Sequence, residues 1–361
     1  MTKTVHTVDL CIIGAGSGGL SIASGAAQLG RSVVLYEAEK MGGDCLNYGC
    51  VPSKALIAAG KHAHAFSAGG PFGISKAKPK IDFEAVKAHI DGVIETIAPV
   101  DSQERFEGLG CTVIRERARF KDANTVESET TEIKAKRFVI AVGSRASAPP
   151  IPGLADTPYL TNETIFSMDK QPKKLLIIGA GPIGLELGQA FKRLGSEVEI
   201  IDIAAPLGRS EPEHAEVLVN ALKKEGIVFH TPAKTKLIRK TKTGVAIDLE
   251  DGTTISGSHL LVAAGRAPNV NGLELEKAGI DYDRRGIEVS DSLRTSNKRV
   301  YAAGDVAKGM GGLTHAAGYH AGQLIRNFYF SPPFMGDMLG KANTTRMPAA
   351  IYSQPELASI G

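Results

Sequence analysis

Tryptophan is absent from this chain, cysteine occurs only four times in 361 residues, and neither sign of charge dominates, with 42 basic against 39 acidic side chains. Four cysteines cannot form a secreted disulfide framework at this length. A formal net charge of +3 is too balanced for phosphate-backbone binding to lead, so nucleic acid is not an expected partner. The N-terminus also lacks a long apolar run: in MTKTVHTVDLCIIGAG only four consecutive apolar residues, Leu10 to Ile13, precede the glycine. Such a segment fits neither a signal peptide nor a membrane span, and a cytoplasmic chain is expected. The composition is 43% apolar and 22% charged with 41 glycines, long enough for two or three packed domains.

An internal repeat organises the sequence. Residues 9–37 read DLCIIGAGSGGLSIASGAAQLGRSVVLYE, and residues 174–202 read KLLIIGAGPIGLELGQAFKRLGSEVEIID. Each copy is an apolar strand, a G-x-G-x-x-G turn, an amphipathic helix closing at a glycine, and a second strand ending on an acid. In isolation that glycine pattern is an ordinary tight turn; between a strand and a helix, with the acid in place, it marks a dinucleotide site. Gly14 and Gly179 permit the sharp turn, Gly16 and Gly181 let backbone approach a pyrophosphate, and Gly19 and Gly184 let helix and strand pack closely. The helix N-terminus then offers free N–H groups to the phosphates. Glu37 and Asp202 are placed to accept hydrogen bonds from an adenosine ribose. Asp202 repels a 2'-phosphate and favours NAD over NADP, and neither Ile203 nor Ala204 is basic.

The stretch RASAPPIPG at 145–153 cannot continue a helix or a central strand and reads as a linker. VAAGRAPN at 262–269 is another strand followed by a glycine turn, and VYAAGD at 300–305 is a strand ending at Asp305. The helix that follows carries His315 and His320, read as a helix-start and a surface histidine, with no third residue to complete a metal site. The basic run KLIRKTKTG at 236–244 reads as a solvated hairpin.

The chemistry concentrates in GGDCLNYGCVPSK, residues 42–54. Cys45 and Cys50 are five apart and do not share a helix face, so bridging them requires an irregular loop, which Gly49 permits. Pro52 suits the first turn of the helix that follows, placing Cys50 at a helix N-terminus, where a thiolate is stabilised. Two unrelated buried thiols, or half of a zinc site, are the other readings. Zinc would need two more ligands at paired spacing, and Cys11 and Cys111, each in an apolar strand, read as core residues. No metal site is expected.

In combination, GAGSGG with Glu37, GGDCLNYGCVPSK, AVGSR, GAGPIGLELG with Asp202, AAGRAPN and AAGD resemble the flavin-dependent pyridine nucleotide-disulfide oxidoreductases, from about Val8 to the last residue. The resemblance implies an α/β fold of two Rossmann-like dinucleotide-binding domains, one for FAD and one for NAD, with a C-terminal dimerisation domain almost wholly absent. It divides the chain into 1–148 (FAD, first part), 149–270 (NAD(P)), 271–345 (FAD and central, second part) and 346–361 (start of the interface domain). It also implies that Asp305 holds the ribityl chain and that Leu313, Thr314 and His315 run under the flavin ring. Ala118 and Gly143 would approach FAD through their backbones, Gly265 would join the cofactor-binding set, and Lys54 would lie near flavin N5, paired with Glu186.

The implied catalytic set is Cys45, Cys50, Lys54 and Glu186. Hydride from NADH would reduce the flavin, and the electron pair would pass to the Cys45–Cys50 disulfide, with Cys50 as the flavin-facing thiolate and Cys45 as the interchange thiol. The expected substrate is a small disulfide or dithiol, as for dihydrolipoamide dehydrogenase, or a thiol-bound metal, as for mercuric reductase. A flavin-binding regulatory protein without turnover is the alternative of another class; it has no need of this dithiol. A homodimer is implied, with the acid-base histidine expected beyond Gly361. Many relatives have Thr in place of Asp44 and Val in place of Tyr48. An acid beside a pyrophosphate must point away, be protonated or be offset by a neighbour.

Overall fold

The computed structural model describes residues 3–332, 337 and 339–360. A strand covered on both faces reads as an unbroken apolar run, and Leu10–Ile13 form the fully buried inner end of β1 (Thr4–Ile13). Beside it lie β2 (Val33–Tyr36), buried along its whole length, and β3 (Cys111–Ile114), both parallel to it. On its other side β6 (Thr131–Ile140) pairs in parallel and continues antiparallel into β5 (Thr125–Glu127) and β4 (Arg119–Asp122). A late strand, β18 (Val300–Ala302), returns to pair with β6 and so brings Asp305 to the same sheet edge as the first glycine turn. Cys11 and Cys111 are buried in this sheet, as expected of core residues.

The second repeat forms its own parallel sheet of β8 (Lys174–Ile178), β9 (Glu197–Ile201), β10 (Val228–His230) and β14 (His259–Val262), in the order β10-β9-β8-β14. Helices α6 (Pro182–Arg193) and α7 (Pro212–Lys224) cover one face. The antiparallel strands β11 (Thr235–Thr241), β12 (Gly244–Leu249) and β13 (Thr254–Gly257) cover the other. The basic run thus forms the hairpin its composition suggested. The two units are joined by a two-stranded ribbon of β7 (Ser144–Ala146) and β15 (Arg266–Pro268).

Three helices of the first unit position the site: α1 (Ser17–Gln28) after the glycine turn, α3 (Cys50–Ala68) after the dithiol, and α8 (Thr314–Tyr329) after the Asp305 turn. Helix α8 lies against α1, and its inward stripe is Ala316, Ala317, His320, Ala321, Leu324, Asn327 and Phe328. The reading of His320 as a surface residue is therefore wrong. It falls on the buried stripe, is 0% exposed, and its Nδ1 accepts the Gly304 N–H at 3.1 Å. Burial lowers its pKa to about 4. His315, half a turn from that stripe, is exposed in the first turn of α8, as expected. Among the described residues no helix is long and apolar enough to cross a membrane.

Candidate redox and dinucleotide sites

The two glycine turns are near copies in space. Gly14 and Gly179 have φ of 106° and 114°, and a Cβ there would stand 2.6 and 2.4 Å from the carbonyl oxygens of Ala141 and Ala263. A Cβ on Gly19 or Gly184 would lie 1.8 or 2.0 Å from the oxygen of Gly14 or Gly179, so each helix rests directly on its turn. Gly16 and Gly181 face the opposite situation. Each caps a helix N-terminus, and a Cβ would meet nothing closer than 3.9 Å at Gly16 and nothing within 4 Å at Gly181. Gly143 and Gly265 are open in the same way. A clear cradle in front of free helix N–H groups is what a dinucleotide pyrophosphate requires, and both turns fit one.

The closing acids brace these turns. Glu37 accepts the Ala15 N–H at 2.7 Å and the Glu39 N–H at 2.7 Å; Asp202 accepts the Ala180 N–H at 2.7 Å and the Ala204 N–H at 2.9 Å. The same carboxylate-to-turn bond recurs in both copies, holding each acid at the mouth of its glycine loop. Ala118 is buried immediately before β4.

Cys45 lies in a single short helix, α2 (Gly43–Asn47), and the chain breaks at Gly49 (φ −122°, ψ −109°) before α3 starts at Cys50. The irregular loop required by the spacing is thus two residues, Tyr48 and Gly49. Both thiols are free and half-buried. Cys50 Sγ lies 3.2 Å from Thr314 Oγ1, the first residue of α8. The Cys45 thiol, hydrogen-bonded to the Cys50 sulfur, brings the Cys50 pKa down to about 6; the Thr314 hydroxyl and the Lys54 charge add to this, against burial and Asp44. The same hydrogen bond, together with burial, pushes the Cys45 thiol far up. The pair is therefore polarised, with the proton on Cys45 and the negative charge on Cys50.

Helix α3 packs tightly on α6: a Cβ on Gly60 would lie 3.1 Å from the Ala190 backbone. One turn along α6 from that contact, Glu186 Oε2 meets Lys54 Nζ at 2.9 Å. This brings together the two residues that the resemblance paired. Glu186 Oε1 accepts the Tyr352 N–H at 2.9 Å, and the Tyr352 ring lies 4.6 Å beneath Lys54 Nζ. Tyr352 follows β19 (Ala349–Ile351) in the hairpin with β20 (Leu357–Ser359), which Gln189 and Gln354 stitch to α6 by reciprocal bonds of 2.8 Å.

Asp305 accepts the Ser144 hydroxyl at 2.7 Å and the Gly312 N–H at 2.8 Å. Leu313 caps the N-terminus of α8. Arg266 Nε donates to Ser144 Oγ at 2.8 Å, and its Nη2 lies 3.2 Å from Asp44 Oδ2. Asn162 Nδ2 donates to Asp44 Oδ1 at 3.1 Å and to the Tyr48 carbonyl at 3.3 Å. Of the three options open to Asp44, the structure takes the last: a neighbour offsets it. Sequence reading missed Ser144, Asn162, Arg266 and Tyr352. Arg266 stood in the AAGRAPN motif, whereas Asn162 and Tyr352 carry no local signal. Among the described residues no cluster of His, Cys, Asp and Glu could hold a metal ion.

Two glycine cradles flanking a polarised thiol pair define a dinucleotide-binding redox protein. Residues 8–321 match the family described as Pyridine nucleotide-disulphide oxidoreductase, and the chain belongs to it. The mercuric reductase of Streptomyces lividans is 35% identical, over 99% of this chain and 76% of the relative. The dihydrolipoyl dehydrogenase of Thermus scotoductus is also 35% identical, over 99% of this chain and 77% of the relative. A Cu(II) complex of the HOCl-induced flavoprotein disulfide reductase RclA from Escherichia coli superposes with a TM-score of 0.84 at 25% identity, covering 98% of this chain and 77% of that one. The chain thus spans about three quarters of the length of these three proteins.

Proposed function

We propose that this chain is the two-dinucleotide portion of an FAD-dependent, NADH-linked disulfide and dithiol oxidoreductase resembling dihydrolipoyl dehydrogenase. The observation that carries this reading is the convergence of Cys50, the Thr314 hydroxyl and the Lys54–Glu186 ion pair where α3, α6 and α8 meet, with Cys45 one short helix away. Gly14, Gly16, Gly19, Glu37, Ala118, Gly143, Asp305, Leu313, Thr314 and His315 would hold FAD; Gly179, Gly181, Gly184, Asp202 and Gly265 would hold NAD. When bound, FAD supplies two-electron transfer between the nicotinamide and the thiol pair.

The side chains do the rest. Cys50 holds the negative charge of the reduced pair, and Cys45 retains the proton until it attacks a substrate sulfur. Lys54, fixed by Glu186, keeps a positive charge beside that thiolate. In the reducing direction one NADH and one proton become NAD⁺ as the substrate disulfide takes up two electrons and two protons to give two thiols. The active form is assigned to a homodimer in the cytoplasm. The boundaries 1–148, 149–270, 271–345 and 346–361 divide the chain accordingly.

A second reading, an enzyme reducing a thiol-bound metal ion, is favoured by the equal identity to a mercuric reductase. Steady-state NADH oxidation by the full-length protein distinguishes them: lipoamide turnover exceeding Hg(II)-dependent turnover supports the first, and the reverse order supports the second. Activity with neither substrate, despite bound flavin, would overturn both.

A further inference from the structure

Asp44 adjoins Cys45, yet both of its carboxylate oxygens are engaged by later segments. Asn162 Nδ2 donates to Oδ1 at 3.1 Å, and Arg266 Nη2 lies 3.2 Å from Oδ2. The same Oδ2 stands against Gly49, where an added Cβ would be 3.1 Å away, so the negative charge sits at the residue immediately before Cys50. Arg266 is itself held in place. It donates from Nε to Ser144 Oγ and from Nη2 to the Ser144 carbonyl, each at 2.8 Å, while Ser144 donates to Asp305. Arg266 therefore belongs to the ribbon joining the two units and reaches from it to the dithiol loop.

A carboxylate near a thiol disfavours the thiolate, and a guanidinium held on that carboxylate cancels most of the effect. The groups acting on Cys50 are Cys45 and Asp44 from α2, Lys54 from its own helix, and the uncharged Thr314 hydroxyl from α8. Of these only Asp44 carries a carboxylate.

We propose that Asp44 and Arg266 form a charge latch, a positioning pair through which the seating of the inter-unit ribbon on the dithiol loop tunes how readily Cys50 ionises. With the arginine seated, the acid is neutralised and the thiolate forms freely. With the arginine withdrawn, the uncompensated acid raises the pH at which Cys50 ionises. The latch rests on the reading of Cys50 as the thiolate-forming sulfur.

The test uses the full-length protein carrying Cys45→Ser, so that only one of the pair ionises. Cys50 thiolate is followed against pH in two ways: by the long-wavelength thiolate–flavin absorbance with flavin bound, and by ultraviolet thiolate absorbance after flavin is stripped. Arg266→Gln should lower the thiolate fraction below the midpoint about three- to tenfold, the size of one partly screened charge at this range. Asp44→Asn should raise it by a similar factor, and Arg266→Lys should fall between the parent and Arg266→Gln. The Asp44→Asn/Arg266→Gln double variant should return to within about twofold of the parent, because the two changes couple. An unmoved midpoint in Arg266→Gln, or the same shift in the single arginine variant and the double, overturns the latch. If Arg266→Gln does not fold, Asp44→Asn decides: an unmoved midpoint there overturns it equally. If the long-wavelength band arises in Cys50→Ser rather than in Cys45→Ser, the reading of Cys50 itself fails, whatever the latch variants do.

Discussion

Thr314 Oγ1 lies 3.2 Å from Cys50 Sγ, and each of these residues is the first of its helix. Two helix N-termini, 264 residues apart in sequence, thus converge on one sulfur. Each presents the positive end of its dipole, and the Thr314 hydroxyl adds a direct hydrogen bond. An anion is stabilised there more than a neutral thiol.

Removing that hydroxyl should move the titration. Thr314→Val keeps the shape and deletes the donor, so the Cys50 midpoint should rise above that of the parent measured in the same background, and the thiolate fraction below the midpoint should fall about three- to tenfold. Thr314→Ser should stay near the parent. Rates of alkylation against pH in a Cys45→Ser background provide the measurement, and equal midpoints for Val and Ser would show that the hydroxyl contributes nothing.

Lys54 is held by charge on one side and by a ring on the other. Glu186→Gln weakens the ion pair but leaves an oxygen to accept the Tyr352 N–H, whereas Lys54→Met removes the cation. Flavin reduction by NADH should slow by about tenfold in the first and about a hundredfold in the second, with little change in flavin content. Stopped-flow absorbance at saturating NADH reads both; parent-like rates in Lys54→Met would remove the lysine from the machinery.

Asp202 braces its turn, and on the proposed reading its carboxylate would repel a 2'-phosphate. The parent should prefer NADH, and Asp202→Ala should raise the KM for NADH about tenfold while narrowing the NADH to NADPH ratio of kcat/KM. Preference for NADPH in the parent would overturn the cofactor assignment.

His320 should make the fold acid-sensitive. Its pKa falls from an ordinary 6.5 to about 4 on burial, so the unfolded chain binds the extra proton first as pH drops. Stability from this group is complete above pH 6.5 and is lost between 6.5 and 4, by up to about 3 kcal/mol. Denaturant midpoints across that range measure it. His320→Gln, which keeps an acceptor for the Gly304 N–H, should flatten the slope, and an unchanged slope would place the acid sensitivity elsewhere.

The parts legible in the sequence are those built from neighbours along the chain. The glycine turns, the terminal acids and the break between Cys45 and Cys50 are short-range features, fixed by backbone geometry within about thirty residues. Lys54 with Glu186 became legible through the family motifs, not through spacing. His320 reads as a surface residue only when set beside His315; the stripe through Ala316, Ala317, Ala321 and Leu324 puts position 320 inside. The partners of Asp44 were illegible for another reason. Asn162 lies 118 residues away along the chain, and only the packing of the second unit on the dithiol loop brings it and Arg266 into contact.

The assignment of unlike roles to the two sulfurs is open to one direct measurement, the visible spectrum of the flavin-loaded single-cysteine variants without reductant. Cys45→Ser should show a long-wavelength band that appears as pH rises through the Cys50 ionisation, and Cys50→Ser should show none at neutral pH, because burial still holds the proton on the remaining thiol. A band in Cys50→Ser and none in Cys45→Ser would contradict the assignment.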